Sequence, residues 1–141
     1  MWRTIAIISL ITFASVTNVI AAETQSKQLH ELTIQQANKL LNKGEITSVE
    51  LVNHYLEQIK KYDQSGPKIN SVPQINTKAL AIAKRLDDER RQGNIRGPLH
   101  GIPIVLKDNI DTADGMPNTA GSIALKDNFP TQDAHIVKKL R

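Results

Sequence analysis

Apolar residues recur at helical intervals in three stretches of the chain, and a threonine stands at the head of each. Ala37, Leu40 and Leu41 form the first stripe. Thr33 precedes it with Gln36 three residues on, the spacing of a capping box in which each side chain satisfies the other's backbone N–H, and Gly44 supplies a stop. In the second stretch Leu51, Val52, Tyr55, Leu56, Ile59 and Tyr62 share a face, Thr47 and Glu50 repeat the capping-box spacing, and Ile46 is positioned to staple onto Leu51. Gly66 and Pro67 end this helix. The third, "TKALAIAKRLDDERRQG", carries Leu80, Ala83 and Leu86 on one face, with Thr77 as its cap and Gly93 as its close. Its "DDERR" run reads as a solvated helix face with ordinary surface ion pairs.

The pattern differs elsewhere. "KINSVPQIN" reads as extended, with Pro73 confining any strand to an edge or an end. After Gly97 and Pro98, residues 102–106 are a nearly continuous apolar run with β-branched members, which predicts a short strand buried on both faces and covered by helices. A Gly/Pro/Asn-rich loop follows. A helical start is expected near Asp133, where Ala134, Ile136, Val137 and Leu140 begin a stripe.

The beginning of the chain, "MWRTIAIISLITFASVTNVIAAETQ", has one cation at Arg3, an apolar run interrupted by Thr12, Ser15, Thr17 and Asn18, and small residues at Ala21 and Ala22. That order predicts a secretory signal peptide over residues 1–22, cut after Ala21 or Ala22, and an exported product, periplasmic or secreted, with no membrane attachment after cleavage. Residues 23–31 are polar and aperiodic and read as a flexible start, leaving 32–141 as the folded part.

Composition narrows the function. With 40% hydrophobic and 23% charged residues the chain of 141 is in the globular range. Its net charge of +4 is spread without a Lys/Arg block, and aromatic residues are 4%, so there is no footprint for nucleic acid. The absence of cysteine removes disulfides, thiol nucleophiles and Cys-based metal sites. His30, His54, His100 and His135 lack metal-ligand spacing and read as surface or loop residues. No glycine pattern that cradles phosphate is present, and neither metal nor cofactor is expected.

The tetrapeptide "LKDN" occurs twice, at residues 106–109 and 125–128. The first copy follows the expected strand, and ends of buried strands are where α/β proteins hold reactive groups. The second lies in a turn before Pro130. Lys107 therefore reads as a positioned amine and Lys126 as a solvent-facing one.

The run "GPLHGIPIVLKDNIDTADGMPNTAGSIAL", followed by "DAHIVKKLR", resembles the amidase signature family, and the helices before it fit the same family's N-terminal layout. The resemblance spans residues 32–141. It implies the N-terminal part of an α/β fold with a mixed β-sheet covered by helices, and hydrolysis of carboxamide bonds by a Ser, cis-Ser, Lys triad. Lys107 occupies the position of the triad lysine, which must be neutral to accept a proton through the bridging serine; burial disfavours the ammonium and suits that role. The resemblance makes Asp108, Asn109, Gly121 and Ser122 a supporting loop, with Asp108 expected to turn away from the amine and hold backbone groups. Asn118 departs from the family's usual threonine. The substrate implied is a small-molecule or peptide amide, nearer to the peptide-amidase side of the family than to the amidotransferase subunits.

No "GGSSGG"-like run, the family's source of both serines and of the oxyanion hole, occurs in the sequence. The expectation is thus an N-terminal portion that is inactive alone. The alternative, from a different class, is a truncated non-catalytic exported protein that uses an unfinished sheet edge for interaction.

Overall fold

The computed structural model describes Leu29 and residues 31–141. The chain divides into two compact units, Met1–Leu32 and Thr33–Arg141. The expected signal peptide and most of the polar start lie outside the described residues; the second unit is the subject below. It contains helices α1 (Ile34–Lys43), α2 (Ser48–Gln58), α3 (Ala79–Arg91) and α4 (His135–Leu140), a π-helical turn at Ile59–Asp63 and a 3-10 turn at Ile123–Leu125.

Local chemistry fixes the ends of the first two helices. Thr33 Oγ1 accepts from Gln36 N at 3.2 Å while Gln36 Oε1 accepts from Thr33 N at 2.8 Å. Thr47 and Glu50 repeat the exchange at 3.1 and 2.7 Å. Helix α1 closes with Gly44 in the left-handed region, φ 69°, where Gly44 N and Glu45 N return to the carbonyls of Leu41 and Leu40. Gly93, φ 82°, closes α3 in the same way, with Asn94 N on Glu89 O. Thr77 does not cap α3. Lys78 is the capping residue, and its N–H bonds to Asn76 Oδ1 at 2.9 Å, so an Asx turn one residue earlier starts the helix. Helix α4 begins at His135 without a side-chain cap, because Asp133 is occupied by Ala113 N at 2.7 Å and Arg141 Nε at 2.8 Å.

Helices α2 and α3 pack together. Ala37, Leu41, Ile46, Leu51, Val52, Ala83 and Val137 are the buried apolar side chains of this unit. The "DDERR" run is only partly a solvated face. Asp88 pairs on the surface with Lys84 at 3.6 Å and with Arg91, as its spacing suggests. Asp87 instead accepts from Ser48 N at 2.7 Å and Val49 N at 3.1 Å, placing a carboxylate on the first two amides of α2, where the helix dipole favours negative charge. Arg90 Nη2 donates to His100 O at 2.7 Å, and Arg96 Nε donates to Glu89 Oε2 at 2.7 Å. These ties fasten residues 96–101 to α3.

Of the histidines expected as surface or loop residues, His54 is instead buried on a helix, while His100 lies in a turn as expected but is buried there. His54 lies on the inner side of α2, its ring edge-on to Tyr55 with centroids 5.4 Å apart. His100 Nε2 donates to Leu86 O at 2.8 Å while Nδ1 accepts from Arg96 N at 3.3 Å, which fixes one neutral tautomer. His135 is exposed.

The second helix does not run on as α-helix to Tyr62. From Ile59 it widens into a π-helical turn, which carries Asp63 inward and leaves Tyr62 exposed. Asp63 accepts from Ser71 N and Ser71 Oγ, both at 2.6 Å, and from Val72 N at 3.2 Å. The hydroxyl of Ser71, then its amide, hold the Asp63 carboxyl below the usual carboxylate range against the opposing effect of burial.

The strand expected over residues 102–106 does not form, and there is no strand among the described residues. Ile104 is 44% exposed and Val105 74%, so the run is neither buried nor paired. A ladder needs a neighbouring strand to receive its N–H and C=O groups, and these residues contain none to pair with it. The mixed β-sheet is therefore not a property of this stretch of chain by itself.

Candidate active site

Lys107 begins a turn in which its own carbonyl accepts from Ile110 N at 3.0 Å. It is exposed, in contrast to the buried amine expected from the sequence, because the run before it is uncovered. The turn lies along an open trough of about 1300 Å³ whose walls include Leu86, Ile102, Leu106, Met116 and Val137.

The next residue organises the neighbourhood. Asp108 Oδ2 accepts from Thr119 Oγ1 at 2.5 Å and Gly121 N at 3.3 Å; Oδ1 accepts from Gln74 Nε2 at 3.2 Å and Thr119 N at 3.4 Å. Its backbone carbonyl takes Ala120 N at 3.0 Å. Three consecutive amides thus converge on one aspartate, which turns toward the loop. The Thr119 hydroxyl is the main reason the Asp108 carboxyl sits below its ordinary range; the Thr119 and Gly121 amides and the charge of Lys107 add to it, against burial.

The segment these bonds hold is a tight reverse turn. Ser122 N donates to Thr119 O at 2.8 Å, and the two central residues, Ala120 at φ 47° and Gly121 at φ 77°, are both left-handed. Positive φ at both centres is the signature of a type I′ turn, natural for Gly121 and costly for Ala120. Ser122 and Asn109 are exposed, Ser122 at the head of the 3-10 turn and Asn109 in the Lys107 turn. Asn118 N donates to Asn128 O at 2.9 Å and Asn128 Nδ2 to Asn118 O at 3.0 Å, closing residues 118–128 into a loop. Asn118 Nδ2 also reaches Asp111 Oδ1. The second "LKDN" copy is in that loop, where Lys126 is exposed and pairs with Asp127.

Sequence reasoning missed Gln74, Asn76 and Asp114. Asn76 Nδ2 and Arg141 Nη2 both donate to Asp114 Oδ2, at 3.0 and 2.7 Å. Their only advance signal was the two-residue spacing of Gln74 and Asn76 in an extended segment.

With this geometry in view, the relatives are informative. The amidase family model matches residues 50–141, more than half of the chain. The chain belongs to the amidase family. A Schizosaccharomyces pombe protein assigned as an amidase is 45% identical over 117 residues, covering 83% of this chain and 20% of that protein. Among solved structures, the peptide amidase of Stenotrophomonas maltophilia superposes with a TM-score of 0.77 at 42% identity over 79% of this chain and 23% of that one. An amidase family protein of Bacillus anthracis gives a TM-score of 0.79 at 39% identity, over 86% and 24%. The described residues therefore follow the corresponding part of the amidase signature fold, and the chain spans about a fifth to a quarter of the length of these relatives.

Proposed function

We propose that this chain is the lysine-bearing N-terminal part of an exported hydrolase that cleaves carboxamide bonds, C-terminal peptide amides or related non-peptide amides, by a Ser/cis-Ser/Lys mechanism. Lys107 is the base, and the two serines come from outside these 141 residues. The observation that carries the reading is the position of Lys107: it closes "GIPIVLK", stands on the turn that Asp108 locks to residues 119–121, and lines the trough. The likeness to the Stenotrophomonas maltophilia peptide amidase supports peptide amides as the substrate class. The leader-like order of residues 1–22 supports export.

In this reading the uncovered run 102–106 becomes a strand of the family's mixed sheet once the remainder of the enzyme lies against it. Covering the run takes Lys107 out of water, and an amine in low dielectric is more easily neutral. It then accepts the proton that the bridging serine passes on from the attacking serine, while the acyl oxygen is stabilised by backbone amides contributed by the same outside loop. Asp108 is directed to the loop, so the carboxylate next in sequence holds the scaffold instead of tying the amine in an ion pair.

The test compares Lys107→Ala and Lys126→Ala in the complete enzyme, by ammonia released from a C-terminally amidated peptide. Lys107→Ala is expected to lower turnover by about 10³-fold or more, and Lys126→Ala to leave it within about twofold, as for a surface change. Equal losses at the two lysines would overturn the assignment.

A further inference from the structure

Residues 71–76 lie as an extended strap beside the Lys107 turn. Val72, Gln74 and Asn76 are half-buried whereas Ser71, Pro73 and Ile75 are exposed, the two-residue alternation of extended chain. On the inner side, Gln74 Nε2 donates to Asp108 Oδ1 at 3.2 Å and Asn76 Nδ2 donates to Asp114 Oδ2 at 3.0 Å. The strap is fixed independently at its start, where Asp63 takes Ser71 N, Ser71 Oγ and Val72 N. Gln74 is thus anchored from behind and reaches forward to the residue after Lys107.

Its contribution can be separated from that of the loop. Asp108 Oδ2 is held by Thr119 Oγ1 and Gly121 N. Oδ1 has Gln74 at 3.2 Å and only a long contact to Thr119 N at 3.4 Å. Among the described residues, Gln74 is the one side chain preceding Lys107 that hydrogen-bonds to Asp108. Without it Oδ1 keeps only the long contact from Thr119 N, and the carboxylate loses its one tie to the strap while Oδ2 stays on the loop. An ionised carboxylate only accepts, so the amide's NH₂ end is the one that faces it.

We infer that Gln74 is a positioning residue: by fixing Asp108 Oδ1 it sets the Lys107 turn against the Thr119–Ser122 turn. The inference rests on the reading of Lys107 as the base; Gln74 touches neither substrate nor the reacting amine and acts through Asp108.

The test is amide hydrogen exchange, followed by NMR on the full ¹⁵N-labelled chain and on Gln74→Ala, Gln74→Glu and Asn76→Ala. Gln74→Ala is expected to speed exchange at Thr119, Gly121 and Ile110 by about tenfold, as for loss of one hydrogen bond to a charged group in a locally opening segment. The amides of Leu40 and Leu41 in α1 keep their rates. Gln74→Glu has nearly the same volume but, ionised, no donor, so it loses at least as much protection; a residue needed only for packing would lose none. Asn76→Ala leaves Thr119 and Gly121 as they were. Unchanged rates at Thr119 and Gly121 in Gln74→Ala, wild-type rates in Gln74→Glu, or an acceleration that includes α1 equally, would each overturn the inference. The exchange result does not depend on turnover: if Lys107→Ala leaves the complete enzyme active, the functional reading fails while the strap stands, and the converse pattern removes the strap alone.

Discussion

Gly101 lies against Ser48 so closely that a Cβ built on it would stand 2.1 Å from the serine's hydroxyl oxygen. Ser48 is fully buried in the first turn of α2, and Gly101 holds φ at 79°, a conformation that side-chain-bearing residues rarely adopt. This contact lets residues 97–101 approach the helix pair closely enough for Arg90 to reach His100 O. Gly101→Ala combines a clash with a left-handed non-glycine residue and is expected to cost about 2–4 kcal/mol. Gly97, which has nothing within 4 Å of its would-be Cβ and no positive φ, should accept alanine with little effect. Urea denaturation of the two variants, read by far-UV circular dichroism, decides it.

Asp87 is expected to matter more than its place in a charged run suggests. Asp87→Ala removes the acceptor for Ser48 N and Val49 N and should cost about 1–2 kcal/mol, in the range of a lost helix cap with its dipole interaction. Asp87→Asn keeps one acceptor oxygen and should recover part of the loss. Asp88→Ala, which touches only surface partners, is the control and should fall within about 0.5 kcal/mol of the parent.

Acid sensitivity follows from the lowered carboxylates, which also include Asp88, Glu89 and Asp133; Asp63 and Asp108 are the two held chiefly by the hydroxyl of a neighbouring loop residue. Asp63 and Asp108 both titrate below their ordinary value of 3.8 in the folded chain. A depressed folded pKa means that the unfolded chain binds the proton first. The stabilisation is therefore complete above the ordinary carboxylate range and is lost as pH falls through about 4 toward the lower folded values. Thermal melts between pH 7 and pH 3 should show stability declining toward the acid end, with a shallower decline in Asp63→Asn. A parent chain that gains stability on acidification would contradict the assignment.

On the proposed mechanism, residues 1–141 alone should show no amide hydrolysis above background, because that mechanism draws its attacking serine from outside them. Ammonia release from an amidated peptide by the purified chain, assayed beside the complete enzyme, checks this. Turnover that disappears in Lys107→Ala of the isolated chain would mean that the nucleophile lies within it.

What was legible in the sequence was what neighbouring residues decide among themselves. The capping boxes at Thr33 and Thr47 and the glycine closures at Gly44 and Gly93 are written in spacings of a few residues, and they formed as expected. The strand at residues 102–106 was misjudged because β structure depends on a partner, and an apolar run records only that it suits one. The π-helical turn at Ile59–Asp63 has the same apolar period as the helix it extends, so nothing local announced that Asp63 would swing inward. Asp87 looked like a surface charge because its acceptors' partners, Ser48 N and Val49 N, are backbone groups with no sequence signature. At the candidate site, the orientation of Asp108 toward the loop was expected from family likeness, whereas its bond from Gln74, 34 residues earlier, joins segments that no short motif connects.

The uncovered run has a further consequence for how the chain behaves before anything lies against it. Five apolar residues prone to extended structure are the kind of segment that stacks edge to edge with copies of itself. Here Pro103 interrupts the row of N–H donors that such stacking needs, and the exposed ammonium of Lys107 ends it, so like charges would be brought together at each added layer. The lysine proposed as the base thus also places a charge at the end of an exposed apolar run, where it opposes edge-to-edge stacking.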